Sequence, residues 1–354
     1  MARDRLRIGF VGAGGIVRQR HGPGLRQIPD VELVGVANRS QASSERAARE
    51  LGIGRVYPDW RALVQSDEVD VVWIGTHPST HRELSVAALE AGKHVFCQAR
   101  VAPDYGSAKA MWEAAERSDR TTMLCPPPHY MRGDRVVRAL LADGFVGQPY
   151  NVVVRSYSAA YADPQTPRHW RQQREVSGYN TLDVGMMIEV MHRWLGYARR
   201  VTAIEQTVFP TRPTADGGQG PVERPDTLSA IAELENGALA TMAWSGLARH
   251  AAEGNSFEIY GSDGTIRYLY ASDTILAGKA SDDGLREVPI PADQAREWTV
   301  EADFVEGVRE GRRSVEPSFW DGLKYIEMTE AIFRSAETGR PVEMPFEELE
   351  GRKG

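Results

Sequence analysis

The chain has 354 residues, 42% hydrophobic and 26% charged, with a net charge of −7, which suits two domains with substantial cores. The acidic balance argues against a nucleic-acid partner, and no apolar run approaches the ~20 residues of a membrane span. Cys97 and Cys125 are the only cysteines, both in apolar runs, so buried thiols in a reducing, cytoplasmic setting are expected rather than a disulfide, and no signal peptide precedes the first strand.

The first strand, Leu6 to Val11, runs into Gly12-Ala-Gly14-Gly15-Ile16-Val17 and then a helical pattern. Gly12 permits a tight turn, Gly14 lets the backbone approach a pyrophosphate, and Gly15 and Ile16 open the helix whose N-terminus would hold it. Val17 stands at the third fingerprint position, where Gly or Ala is usual, and should crowd the helix against the strand. The second strand, Val31 to Ala37, ends in Asn38-Arg39-Ser40. An acidic residue at position 38 would bind ribose hydroxyls and repel a 2′-phosphate; Asn38 removes that repulsion, while Arg39 and Ser40 suit the phosphate. NADP(H) is therefore favoured over NAD(H), the alternative being Arg39 solvated over the adenine. Helices are expected over Ser43 to Leu51, Ser79 to Ala91 and Tyr105 to Glu116. Between them lie strands at Val69 to Gly75, His94 to Cys97 and Thr121 to Cys125. Strand–helix alternation of this kind predicts a doubly wound parallel sheet, a Rossmann dinucleotide-binding domain over residues 1–127. Pro126-Pro127-Pro128 cannot continue a sheet and marks its end.

Residues 128–354 have another rhythm and are read as an α+β domain for substrate binding and oligomerisation, with a large, mostly antiparallel open sheet. Helices are expected at Gly133 to Ala142, Asp183 to Leu195, Asp293 to Glu310 and Asp321 to Ala336. Asn236-Gly237 and Ser262-Asp263-Gly264 punctuate two hairpins. Phe209 to Pro225, rich in Pro and Gly, is expected to be a surface loop. Ile231, Leu234, Ala240, Met242 and Trp244 are assigned to the sheet's apolar faces. No metal-ligand spacing occurs.

Residues Gly-Lys-His-Val-Phe-Cys-Gln-Ala-Arg, 92–100, closely resemble the signature strand of the glucose–fructose oxidoreductase / inositol dehydrogenase / rhizopine catabolism (Gfo/Idh/MocA) family. Ser177 to Val190 resembles its Gly-Gly-x-x-x-Asp-x-Gly-x-His-x-x-Asp helix, and the resemblance covers nearly the whole chain. It implies a nicotinamide-dependent enzyme in which Thr76, His77, Pro78 and His81 pass under the nicotinamide ribose. It also implies dimers or tetramers through the second sheet. Gln98, Ala99 and Arg100 stand where the family has Glu-Lys-Pro, so the lysine that helps move the proton is an alanine here. On the helix only Asp183 matches; Met187 and Val190 replace the histidine and second aspartate, at i+4 and i+7 on the same face.

No obvious lysine substitutes. Lys93 lies roughly 15 Å from the catalytic end of its strand at ~3.3 Å per residue, and Arg100 can stabilise an anion but cannot take a proton. His192 is about 180° round the helix from Asp183. His129 is the best remaining acid/base, beside Tyr130 at the expected mouth between the domains; the alternative is a histidine in a surface loop. His169-Trp170-Arg171 resembles the family's Trp-Arg approach, suited to a sugar face or an acidic group, and Tyr179 and Asn180 begin the helix. The expected function is hydride transfer at a carbinol carbon of a sugar, cyclitol or polyol derivative, with Asp183 and His129 catalytic. Three alternatives stay open: redox-neutral glycoside cleavage or elimination with retained cofactor, a non-catalytic dinucleotide sensor, and a partner subunit.

Overall fold

The computed structural model of the chain describes residues 5–126 and 131–346. Among these residues two compact units emerge, one comprising 5–126 together with 299–323, the other 131–298 and 324–346.

In the first unit, β1 (Leu6–Val11), β2 (Val31–Ala37), β3 (Arg55–Val56), β4 (Val71–Ile74), β5 (His94–Cys97) and β6 (Thr122–Leu124) join the two-residue strand Ser314–Val315. The sheet order is Ser314–Val315, β6, β5, β4, β1, β2, β3, and every pairing is parallel. All four residues of β4 are buried, as expected of a strand covered on both faces. Ser40 caps helix Gln41–Leu51 through a capping box, and Asp104 caps Tyr105–Arg117, each satisfying first-turn N–H groups. Residues 299–323, placed with the second domain by the sequence reading, belong to this unit: Val315 pairs with Met123 of β6. The helix expected from Asp293 begins only at Val300: a single turn closes on Pro291 O, and the next N–H, that of Arg296, leaves it to donate to Arg132 O at 3.0 Å.

The second unit holds β7 (Pro149–Tyr157), β8 (Ala198–Gln206), β9 (Thr211–Pro213), β10 (Gln219–Pro221), β11 (Thr227–Leu234), β12 (Leu239–Ser245), β13 (Asn255–Gly261), β14 (Gly264–Leu269), β15 (Thr274–Lys279) and β16 (Arg286–Val288). Nine strands form one sheet in the order β16, β15, β14, β13, β7, β12, β11, β8, Val342–Glu343. Its pairings are antiparallel except β12 with β7. The hairpins at Asn236-Gly237 and Asp263-Gly264 form as the turn residues require. Strand alternation splits the five apolar residues singled out in the sequence: Leu234, Ala240, Met242 and Trp244 are buried, whereas Ile231 faces the opposite side.

The expected loop from Phe209 to Pro225 contains the β9–β10 hairpin. Arg212, fully buried, holds it by donating to Asp163 O at 2.7 Å and Tyr161 O at 2.5 Å. Asp226 holds its base by accepting from the Val208 and Phe209 N–H groups, each at 2.9 Å.

Candidate functional site

The glycine turn is built from close backbone approach. Gly12 has φ +84°, and a Cβ there would lie 2.8 Å from Thr76 N. A Cβ on Gly75, just past β4, would meet Gly12 O at 2.4 Å and Val17 Cγ2 at 2.6 Å. Gly75 thus makes the room that Val17 needs at the third fingerprint position. Above the turn the space is open: nothing lies within 4 Å of a Cβ on Gly15, and only Gly75 O, at 4.0 Å, meets one on Gly14. The helix that follows begins at Gly15, and the N–H groups that the first turn of a helix leaves without intrahelical partners suit a pyrophosphate.

A groove of about 890 Å³ runs from this turn along the carboxyl ends of β1, β2 and β4. β1 lies between β2 and β4, the place where the strand order reverses and where open α/β sheets bind ligands. Of the residues expected at the cofactor, Gly12, Gly14, Asn38, Arg39, Ser40, Thr76 and His77 line it. Gly15, Ile16, Pro78, His81, Gln98 and Ala99 are not among the lining residues. Asn38 acts on the protein itself: its Oδ1 accepts from Ala13 N at 2.7 Å and its Nδ2 donates to Ser43 O at 3.0 Å. Arg18 and Arg46 also line the groove and were missed in the sequence reading. Arg18 was reachable, since it sits one helical turn after Gly14. His81 is fully buried, with Nδ1 3.0 Å from Val101 O and Nε2 3.1 Å from Thr76 O. It pins two strand ends together, and burial pushes its pKa down.

At the end of β5 the Ala99–Arg100 peptide is cis, and Arg100 is buried. The Gln98 side chain turns inward: its Oε1 lies 2.9 Å from His21 Nε2, and His21 Nδ1 lies 2.6 Å from Glu301 Oε1. Lys93 donates to Ser66 O at 2.8 Å, at the opposite end of the strand. Lys279 reaches Phe145 O at 2.9 Å, and Lys324 pairs with Glu327.

In the second unit, Asp183 precedes helix Val184–Leu195, which begins one residue later than expected, and Met187 and Val190 are buried. His169 caps the turn Trp170–Gln172, its Nδ1 accepting from Arg171 N at 3.2 Å, and the Arg171 guanidinium lies 4.4 Å from the Trp170 ring centre. Tyr161, absent from the sequence candidates, lies within electrostatic range of both Arg171 and Asp183; burial foremost raises its pKa. Tyr179 stacks on Phe333 at 5.5 Å beneath Arg224, and Asn180 Nδ2 donates to Ser177 O at 2.8 Å. Both are thus engaged in the unit's own packing. His192 packs edge-on against Tyr197 at 5.1 Å. His129 and Tyr130 lie outside the described residues. Among the described residues no cluster of His, Cys, Asp and Glu could hold a metal, and no helix is long and apolar enough to cross a membrane.

Residues 6–125 match the family model described as an oxidoreductase family with an NAD-binding Rossmann fold, and residues 135–267 match the GFO/IDH/MocA C-terminal domain. Levoglucosan dehydrogenase of Pseudarthrobacter phenanthrenivorans is 28% identical, with 97% of this chain and 99% of that protein covered. D-apiose dehydrogenase of Paraburkholderia graminis is 26% identical over 98% of this chain and 92% of that one. A solved levoglucosan dehydrogenase in complex with NADH and L-sorbose superposes with a TM-score of 0.87 at 26% identity, covering 96% of this chain and 99% of that one.

Proposed function

The chain belongs to the GFO/IDH/MocA oxidoreductase family, and from that premise we propose that this NAD(P)-dependent oxidoreductase acts on a carbinol carbon of a sugar, cyclitol or related polyol. The groove beside the Gly12–Gly14 turn carries the reading, because its open cradle and first-turn N–H groups fit a dinucleotide. When bound, the nicotinamide would accept or donate the hydride. Residues of this chain would orient the substrate and handle its proton. Asp183 is the polar group retained on the helix face that otherwise carries Met187 and Val190. Arg171 stacked on Trp170 suits a sugar face, and His129 is the proposed proton handler.

NADP(H) is the proposed preference. Arg18, Arg39 and Arg46 line the groove with Ser40, and Asn38 places no carboxylate at the end of β2. The levoglucosan dehydrogenase complexes hold NADH, so the choice is open to direct test. Calorimetric titration of both nucleotides, followed by a screen of polyols for nicotinamide absorbance change, tests the whole reading. Failure to bind either nucleotide overturns it.

A second reading is redox-neutral elimination with retained cofactor; its transient carbinol oxidation also releases a hydroxyl proton, so a group other than Ala99 would take that proton and return it. Substrate consumption without net absorbance change, in protein that keeps its nucleotide through gel filtration, would favour it. Association through the exposed face of the nine-stranded sheet is proposed for the oligomer.

A further inference from the structure

Beneath the end of β5, three polar side chains far apart in sequence meet in an apolar setting. His21 is fully buried and Glu301 nearly so, and the His21 ring lies 5.0 Å from that of Trp73 and 5.3 Å from that of Phe96. Its two nitrogens are held by Glu301 and by Gln98, so the ring cannot flip. The surroundings are shaped for this contact. Gly24 leaves room for the carboxylate, since a Cβ there would lie 3.0 Å from Glu301 Oε2. Val17–His21 is a π-turn, and one inserted residue advances each later side chain by about 100° around the helix. An apolar residue of similar shape would avoid the desolvation cost of these groups.

We propose that His21, clamped between Glu301 and Gln98, is a positioning residue for the turn that carries Ala99 and Arg100, and so for the nicotinamide half of a bound dinucleotide. A dinucleotide with its pyrophosphate on the Gly12–Gly14 turn and its adenosine over β2 extends its other half across the ends of β4 and β5. The β5 end is tethered through the Gln98 carboxamide, which also lies against the Cys125 thiol. The glycine-turn helix and helix Val300–Arg309 supply the anchor points. This rests on the dinucleotide reading of the groove.

Calorimetry with the better-bound dinucleotide and with the matching fragment that lacks only the nicotinamide, ADP-ribose for NAD(H) or 2′-phospho-ADP-ribose for NADP(H), tests it on the full chain. His21→Phe and Gln98→Leu should each weaken the dinucleotide by about tenfold while the fragment stays within about twofold, and the double variant should be no worse than the weaker single one. Glu301→Gln, which keeps an oxygen toward His21, should retain most of the affinity that Glu301→Leu loses. If His21→Phe fails to fold, Gln98→Leu and the Glu301 pair carry the same comparison. Equal losses for both ligands, or no loss for either, overturn the proposal alone. An unmodified protein that binds neither ligand overturns the dinucleotide reading and this inference with it.

Discussion

Asn38 is bonded to Ala13 and Ser43, so discrimination at the adenosine ribose falls to its neighbours. Arg39→Ala should weaken NADP(H) by roughly ten- to a hundredfold, as expected for a lost charge-assisted contact, and leave NAD(H) much less affected. Titration of both nucleotides decides it, and tighter NAD(H) binding by the unmodified protein would reverse the assignment. Ala99→Lys combined with Met187→His should not create polyol oxidation. Gln98 is tied to His21, Met187 is buried, and Arg100 beside a new lysine would disfavour its charged form. Asp183→Asn should lower native turnover by at least ~10²-fold. Polyol oxidation by the double variant, or full activity in Asp183→Asn, would refute this assignment. The glycine turn and β2 end were legible because their chemistry is local. The His21–Glu301 contact spans 280 residues, and no periodicity announces it.

Helix Val184–Leu195 carries His192, whose two ring nitrogens are shielded from solvent and lack hydrogen-bond partners among the described residues. Burial, then the Lys324 charge, lowers its pKa to about 3 from 6.5. As pH falls below about 6.5 the unfolded chain takes up a proton that the folded state refuses. Stability should therefore decline toward pH 3, by at most ~1.4 kcal/mol per pH unit from this group. Denaturant unfolding at about pH 7 and about pH 5 should show a smaller difference for His192→Phe than for the unmodified protein. A slope unchanged by the substitution would remove His192 as a source of acid sensitivity. Helical phase puts His192 about 180° from Asp183, and the structure packs it against Tyr197 while Met187 and Val190, on the Asp183 face, are buried as well. Strands β1, β2 and β5 were legible to the residue, as short, largely apolar runs between helical patterns. Strands β9 and β10 were not: three residues containing Pro or Gly show no alternation, and buried Arg212 holds them instead.

On the whole-molecule scale, the outer face of the nine-stranded sheet presents Ile204, 73% exposed, and Ile231, 59% exposed, on the paired strands β8 and β11, with Leu239 and Tyr260 exposed farther across on β12 and β13. Ile204→Lys with Ile231→Lys should shift sedimentation at micromolar concentration from an oligomer to a monomer, since apolar patches of this kind mark association surfaces. A monomeric unmodified protein would count against that use of the face. The domain boundary read from the sequence rested on the proline triplet, and a two-residue edge strand such as Ser314–Val315 carries too little pattern to be assigned to a sheet from its residues. That strand also sets a timetable for biosynthesis. Until it emerges, the outer edge of β6 has no strand partner, and His21 awaits Glu301. At ~5–20 residues per second, translating the intervening second unit takes on the order of ten to thirty seconds. Throughout that interval the nascent first unit exposes an open sheet edge, a template for pairing with other chains. A fragment ending at residue 126 would carry the same open edge permanently.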